Sequence, residues 1–75
     1  MTVVVYTKPG CPSCDHVKAY LRGKSISFDE MIVGRDITRE ELLERMPGIQ
    51  TIPQVIIDGH MVGGYESTMK FLTEG

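Results

Sequence analysis

Two cysteines, Cys11 and Cys14, are the residues of this 75-residue chain best suited to carry chemistry. They stand in the run Lys8-Pro9-Gly10-Cys11-Pro12-Ser13-Cys14, directly after an apolar stretch from Thr2 to Tyr6. Pro12 suits the first position of a helix, where its missing N–H costs nothing. Cys11 then faces the unsatisfied backbone N–H groups and the positive dipole end of that helix. Both favour thiolate over thiol, and such sites bring a cysteine pKa from about 8.5 into the range of roughly 3.5 to 7.5. Cys11 is expected to be a nucleophile, with Lys8 adding positive charge just upstream. Cys14, one turn further in, is placed to attack a mixed disulfide formed on Cys11, so that the pair cycles between dithiol and disulfide. Two other readings exist. Both cysteines can be small core hydrophobes, which suits Cys14 but not Cys11 between Gly10 and Pro12. Or they can be half of a four-ligand zinc site, but His16 and His60, the two histidines, lack zinc-finger spacing to them.

Two further groups carry weaker signals. Thr51-Ile52-Pro53 precedes an apolar strand; Pro53 suits a strand start and forces Ile52 to be extended. The Ile52 backbone then offers a short docking edge to an extended peptide, or Pro53 simply opens the strand. Gly63-Gly64 precedes Tyr65-Glu66-Ser67. Paired glycines permit close backbone approach and positive φ, and the N–H groups opening the following helix can hold a carboxylate. A plain turn accounts for the same residues.

The elements that must position these groups are legible from periodicity. Thr2 to Tyr6 reads as a buried strand. The helix from Pro12 places Cys14, Val17 and Leu21 on one face and is expected to stop at Gly23. Ser25 to Val33 alternates imperfectly and reads as a second strand, followed by a loop at Gly34-Arg35-Asp36. Thr38 and Glu41 match a capping box, opening a helix with Leu42, Leu43 and Met46 as its apolar residues and Pro47-Gly48 as its end. Glu40, Glu41 and Glu44 form its solvated face. Gln54 to Ile57 is a third strand, Asp58-Gly59 a two-residue hairpin turn, and His60 to Val62 the returning strand. A last helix carries Tyr65, Met69 and Leu72 as core residues. The order is β-α-β-α-β-β-α. A βαβ unit requires parallel strands and the hairpin an antiparallel pair, so the expected architecture is α/β with a mixed four-stranded sheet.

Bulk properties agree with one small domain over residues 1–75. The chain is 41% hydrophobic and 24% charged with net charge −2, ordinary globular values that carry no nucleic-acid footprint. No apolar run is long enough to span a membrane. The start, Met1-Thr2-Val3-Val4-Val5, has no basic segment or cleavage site of a secretory signal. The expected compartment is the cytoplasm, where structural disulfides are rare and paired cysteines are catalytic or metal-binding.

Taken together, Tyr6-Thr7-Lys8 before Cys11-Pro12-Ser13-Cys14, then Thr51-Ile52-Pro53-Gln54-Val55, then Val62-Gly63-Gly64-Tyr65 resemble the glutaredoxin family, in the right order along essentially the whole chain. The resemblance implies a thioredoxin-like fold, a single glutaredoxin domain, and reduction of disulfides with glutathione as reductant. It implies a cis peptide bond at Pro53 and places Lys8, Pro12, Ser13, Thr51, Ile52, Pro53, Gly64, Tyr65, Glu66 and Ser67 around glutathione. In that arrangement the Ile52 backbone pairs with the cysteine of glutathione, Lys8 serves the nucleophile and the glycine carboxylate, and Gly64 to Ser67 hold the γ-glutamyl end. The implied partners are glutathione and disulfide-bearing or glutathionylated proteins, ribonucleotide reductase among them by family. The expected state is a monomer with no metal, nucleic acid or membrane involved.

Two departures bear on the electron donor. Ser13 stands where many dithiol members have Tyr, which removes an aromatic wall over the thiolate. Ser67 stands where many have Asp, leaving charge on that side to Glu66. They keep open a thioredoxin-like donor reduced by thioredoxin reductase. A further alternative is a [2Fe–2S] carrier ligated by glutathione and the first cysteine of two protomers, which Pro12 disfavours.

Overall fold

In the computed structural model, which describes residues 1–49 and 51–74, the order is β1 (Val3–Thr7), α1 (Pro12–Gly23), β2 (Asp29–Ile32), α2 (Arg39–Arg45), β3 (Gln54–Ile57), β4 (His60–Gly63) and α3 (Tyr65–Glu74). The four strands form one sheet in the order β2-β1-β3-β4. β1 runs parallel to β2, as a crossover through α1 requires, and antiparallel to β3, which in turn pairs antiparallel with β4.

β1 is nearly continuous in apolar residues because both of its faces are covered. Val3 and Val5 point into a cluster with Val17, Leu21, Val55 and Ile57, against which Met69 and Leu72 pack from α3. Tyr6 points the other way, into a cluster with Ile37, Leu42 and Met46 beside α2. The pleat thus sends alternate residues to α1 and α3 on one face and to α2 on the other.

The capping box forms as expected: the Glu41 N–H donates to Thr38 Oγ1, and the Thr38 N–H donates to Glu41 Oε1. The hairpin turn also forms, with Asp58 and Gly59 at φ 51° and 80°, the left-handed pair that a two-residue turn of this kind needs.

α1 ends at Gly23, where the sequence reading stops it, but the glycine is not what makes the stop. The left-handed residue is Ser25, at φ 57°. Its N–H donates to the Arg22 carbonyl, and the Ile26 N–H donates to the Leu21 carbonyl. This is a Schellman closure with serine where glycine is usual. Because Ser25 and Ile26 serve that closure, β2 begins at Asp29 rather than Ser25. Leu43 of α2 is 39% exposed, while Leu42 and Met46, the residue just past the helix, are buried.

One polar network ties β1, α1 and β2 together. The Thr7 hydroxyl, at the end of β1, donates to Glu30 Oε2 at 2.7 Å, and Lys18 Nζ of α1 donates to the same oxygen at 2.8 Å. The Lys18 and Thr7 hydrogen bonds hold the Glu30 carboxyl below its ordinary value of 4.5. A depressed folded-state pKa contributes stability that is present above the unfolded value and lost as pH falls through the folded one. Glu30→Gln is therefore expected to be less stable than wild type by about 1 kcal/mol at neutral pH. The gap should close as urea titrations are repeated at progressively lower pH below the ordinary carboxylate range.

Candidate active site

The chain leaves β1 at Thr7, turns through Pro9-Gly10, and enters α1 with Cys11 at the N-cap and Pro12 at the first helical position. Cys11 has extended backbone angles, φ −112° and ψ 100°, as an N-cap residue does. Its sulfur accepts the N–H of Cys14 at 3.2 Å. A side-chain sulfur thus satisfies one of the orphan donors of the helix start, and a sulfur anion would gain from that donor and from the dipole together.

The sulfurs of Cys11 and Cys14 are bonded to each other, closing a ring over the first turn with Cα atoms 5.3 Å apart. That separation is ordinary for a disulfide. The two cysteines are not equivalent. Cys14 is 1% exposed on the inner face of α1, whereas Cys11, 6% exposed, lies at the helix start beside exposed Pro12. Cys11 is therefore more enclosed than its neighbours Gly10 and Pro12 suggest, yet it joins neither apolar cluster.

The Ile52–Pro53 peptide bond is cis. The carbonyl oxygen of Ile52 lies 3.9 Å from Cys11 Sγ, so this stretch of backbone flanks the sulfur. Pro53 is buried, and β3 begins immediately after it at Gln54.

The two glycines before α3 divide their work. Gly63 takes φ 118°, which side-chain-bearing residues rarely adopt. Gly64 permits a close approach: a Cβ there would stand 3.0 Å from the Thr51 hydroxyl oxygen. The start of α3 consequently rests on the Thr51–Pro53 loop. A groove of about 460 Å³ runs between them, lined by Ser13, Thr51, Ile52, Gly64, Tyr65, Glu66 and Ser67. Seven of the ten residues named for substrate binding thus meet in one place. Pro12, next to Cys11 in sequence, and Pro53, next to Ile52, do not line that groove. Lys8 lies outside it, on an adjoining groove that shares Thr51 and Ile52 as a common wall.

Two residues outside the expected site set hold the groove together. Gln54, buried at the start of β3, donates from Nε2 to the Thr51 carbonyl at 2.9 Å, and the same nitrogen is 3.7 Å from where a Gly64 Cβ would be. Thr68, fully buried in α3, donates from its hydroxyl to the Gly63 carbonyl at 3.2 Å. A glutamine opening an apolar strand was the available signal for the first. Tyr65 is half-buried, packing partly on the core and partly along the groove, with its ring edge-on to His16 at a centroid distance of 5.5 Å.

No group of three or more His, Cys, Asp or Glu side chains suited to hold a metal is found among the described residues. No described helix is long and apolar enough to cross a membrane.

Comparison with known proteins agrees with this geometry. Residues 3–62 match the family model for glutaredoxin. Glutaredoxin 3 of Escherichia coli strain K12 is 44% identical over 63 residues, covering 83% of this chain and 75% of that protein. A hybrid peroxiredoxin, hyPrx5, of Haemophilus influenzae is 39% identical over 70 residues; these cover 93% of this chain but only 29% of that longer protein. Among solved structures, a buckwheat glutaredoxin–glutathione complex superimposes with a TM-score of 0.82 at 27% identity, over 97% of this chain and 69% of that one. The mixed four-stranded sheet and three helices are the thioredoxin-like fold expected from sequence.

Proposed function

The chain belongs to the glutaredoxin family, and on that footing we propose that it is a glutathione-dependent oxidoreductase reducing protein disulfides and glutathione mixed disulfides. The observation that carries this reading is the position of one sulfur. Cys11 Sγ caps α1 through the Cys14 N–H, is bonded to Cys14, and lies beside the Ile52 carbonyl near the groove that α3 opens onto.

In the cycle, the Cys11 thiolate attacks one sulfur of a protein disulfide. The S–S bond breaks, a mixed disulfide forms on Cys11, and the departing thiolate takes up a proton. Cys14 then loses its proton and attacks Cys11 Sγ, expelling the second substrate thiolate and leaving the Cys11–Cys14 disulfide. One glutathione thiolate attacks Cys11 Sγ and frees Cys14. A second attacks the glutathione sulfur of that adduct, giving glutathione disulfide and restoring the Cys11 thiolate. Two electrons enter from two glutathiones and two leave to the substrate. For a glutathionylated substrate, Cys11 attacks the glutathione sulfur and the last step alone completes the turnover.

Several features support glutathione as the donor. The groove offers the N–H groups of the first turn of α3, which have no intrahelical acceptor, to a carboxylate at the γ-glutamyl end. Lys8, beyond the Thr51–Ile52 wall, suits the glycine carboxylate. A structural neighbour from buckwheat was solved with glutathione bound. We place the activity in the cytoplasm, where glutathione keeps such pairs cycling, with the protein acting as a monomer.

The test is a coupled assay with each reductant system. Turnover is expected with glutathione, glutathione reductase and NADPH, on both a peptide disulfide and a glutathione mixed disulfide. Turnover with thioredoxin reductase and none with glutathione would overturn the donor while leaving the dithiol chemistry in place.

A further inference from the structure

A second groove lies beside Lys8. It encloses about 380 Å³, and beyond the shared Thr51–Ile52 wall it is bounded by apolar Val33, Leu43 and Ile49. Glutathione offers that side only a glycine, which has no side chain. An apolar wall beside the nucleophile, untouched by the reductant, is left for something else.

Two charges mark what that something carries. Lys8 and Arg39 border the groove, and neither forms an ion pair among the described residues. Arg39 stands at the first position of α2, the end of a helix where the dipole disfavours a cation. Leu43, one turn along α2, is 39% exposed although its neighbour Leu42 is buried. Neither residue belongs to a buried core cluster. Both are placed where they line a groove continuous with the candidate active site.

Building on the oxidoreductase reading above, we propose that this groove docks the protein substrate, gripping the residues that follow its disulfide cysteine. Both glutathione and a polypeptide would pair with the same Ile52 backbone, so they run in the same direction. The chain after the cysteine is then directed toward Lys8, as the glycine of glutathione is. The preferred substrate carries, within about three residues of its cysteine, a bulky apolar side chain for the Val33–Leu43–Ile49 wall and a carboxylate for Lys8 or Arg39. The groove thereby separates protein substrates from the reductant, which share one sulfur but not this wall.

The test uses pre-reduced protein and symmetric disulfides of two short peptides, one with the cysteine followed by Ser-Leu-Glu, the other by Ser-Gly-Ser. Second-order rate constants for oxidation of the protein are read by stopped flow, so the identity of the electron donor does not enter. The Ser-Leu-Glu disulfide is expected to react about tenfold faster, the scale of one buried leucine side chain. Leu43→Ala should remove most of that preference and Arg39→Ala a smaller part of it, and Leu43→Ala should leave the rate with glutathione disulfide unchanged. Equal rates for the two peptides on wild type, or a preference that survives both substitutions, would overturn the proposal. So would sedimentation showing a wild-type dimer that Leu43→Ala splits, since the wall would then belong to a second copy. If neither peptide nor glutathione disulfide oxidises the protein, the oxidoreductase reading falls and the groove assignment with it.

Discussion

Replacing Cys11 with serine is expected to abolish turnover on every substrate, by at least about 10³-fold, because a hydroxyl in its place supplies no thiolate nucleophile. Replacing Cys14 with serine is expected to divide the activities instead. Reduction of a glutathione mixed disulfide should continue, and reduction of a protein disulfide should stop at a trapped adduct on Cys11. The reason lies in which atoms do the capping. Cys11 Sγ accepts from the backbone N–H of Cys14, not from its sulfur. Serine keeps that N–H, so the Cys11 anion keeps its donor and loses only the thiol that would resolve the adduct. Cys14 is 1% exposed, and a hydroxyl there is a buried polar group. Cys14→Ala keeps the same N–H without that burden and should show the same split. Initial rates on the two substrate types, with mass spectrometry of the trapped species, read the outcome. Surviving turnover in Cys11→Ser would remove Cys11 as nucleophile.

That asymmetry could be read from the sequence because it needs only local chemistry. A cysteine before a proline at a helix start is an N-cap whatever the rest of the chain does. The faces of β1 and α1 were equally legible, since Val17 and Leu21 repeat at the helical period and Val3 and Val5 at the strand period. Features governed by contacts far apart in sequence were not. α1 does end at Gly23, but its closure is made by Ser25 and Ile26, and Ile26 packs on the core. Leu43 has the residue type of a core position and is exposed because the α2 side of the sheet is already filled by Leu42 and Met46.

The candidate site shows the same division. Its residue types were visible in three separate motifs, but their convergence was not. Gln54 links two of those motifs, holding the Thr51 carbonyl beside Gly64, and it carries no local pattern apart from being polar where a strand is apolar. Only the family resemblance joins Lys8 to the rest, and the structure sets it across the Thr51–Ile52 wall from Gly64 to Ser67. A ligand reaching both ends must cross that wall beside Cys11, which is where the sulfur of a bound substrate has to be.

The frame that fixes this geometry should be sensitive to the inner face of α1. Leu21 is 0% exposed in the cluster with Val3, Val5 and Val55, on the helix whose other end carries Cys11. Leu21→Ala removes buried methyl groups and leaves a cavity, at a cost of about 3 kcal/mol. A domain of this length has roughly 4 to 11 kcal/mol of stability in all, so the loss is a large fraction of it and corresponds to a fall in Tm of about 15 °C. Leu43→Ala deletes the same atoms from a position that is 39% exposed and should change stability by no more than about 0.5 kcal/mol. Thermal unfolding of the two variants side by side therefore separates the leucine that holds α1 on the sheet from the leucine that faces the groove. Equal losses would mean that Leu43 supports the core and that its exposure has been misassigned to binding. A loss confined to Leu21→Ala leaves Leu43 free for the substrate, and the peptide preference can then be measured on a variant whose fold is intact.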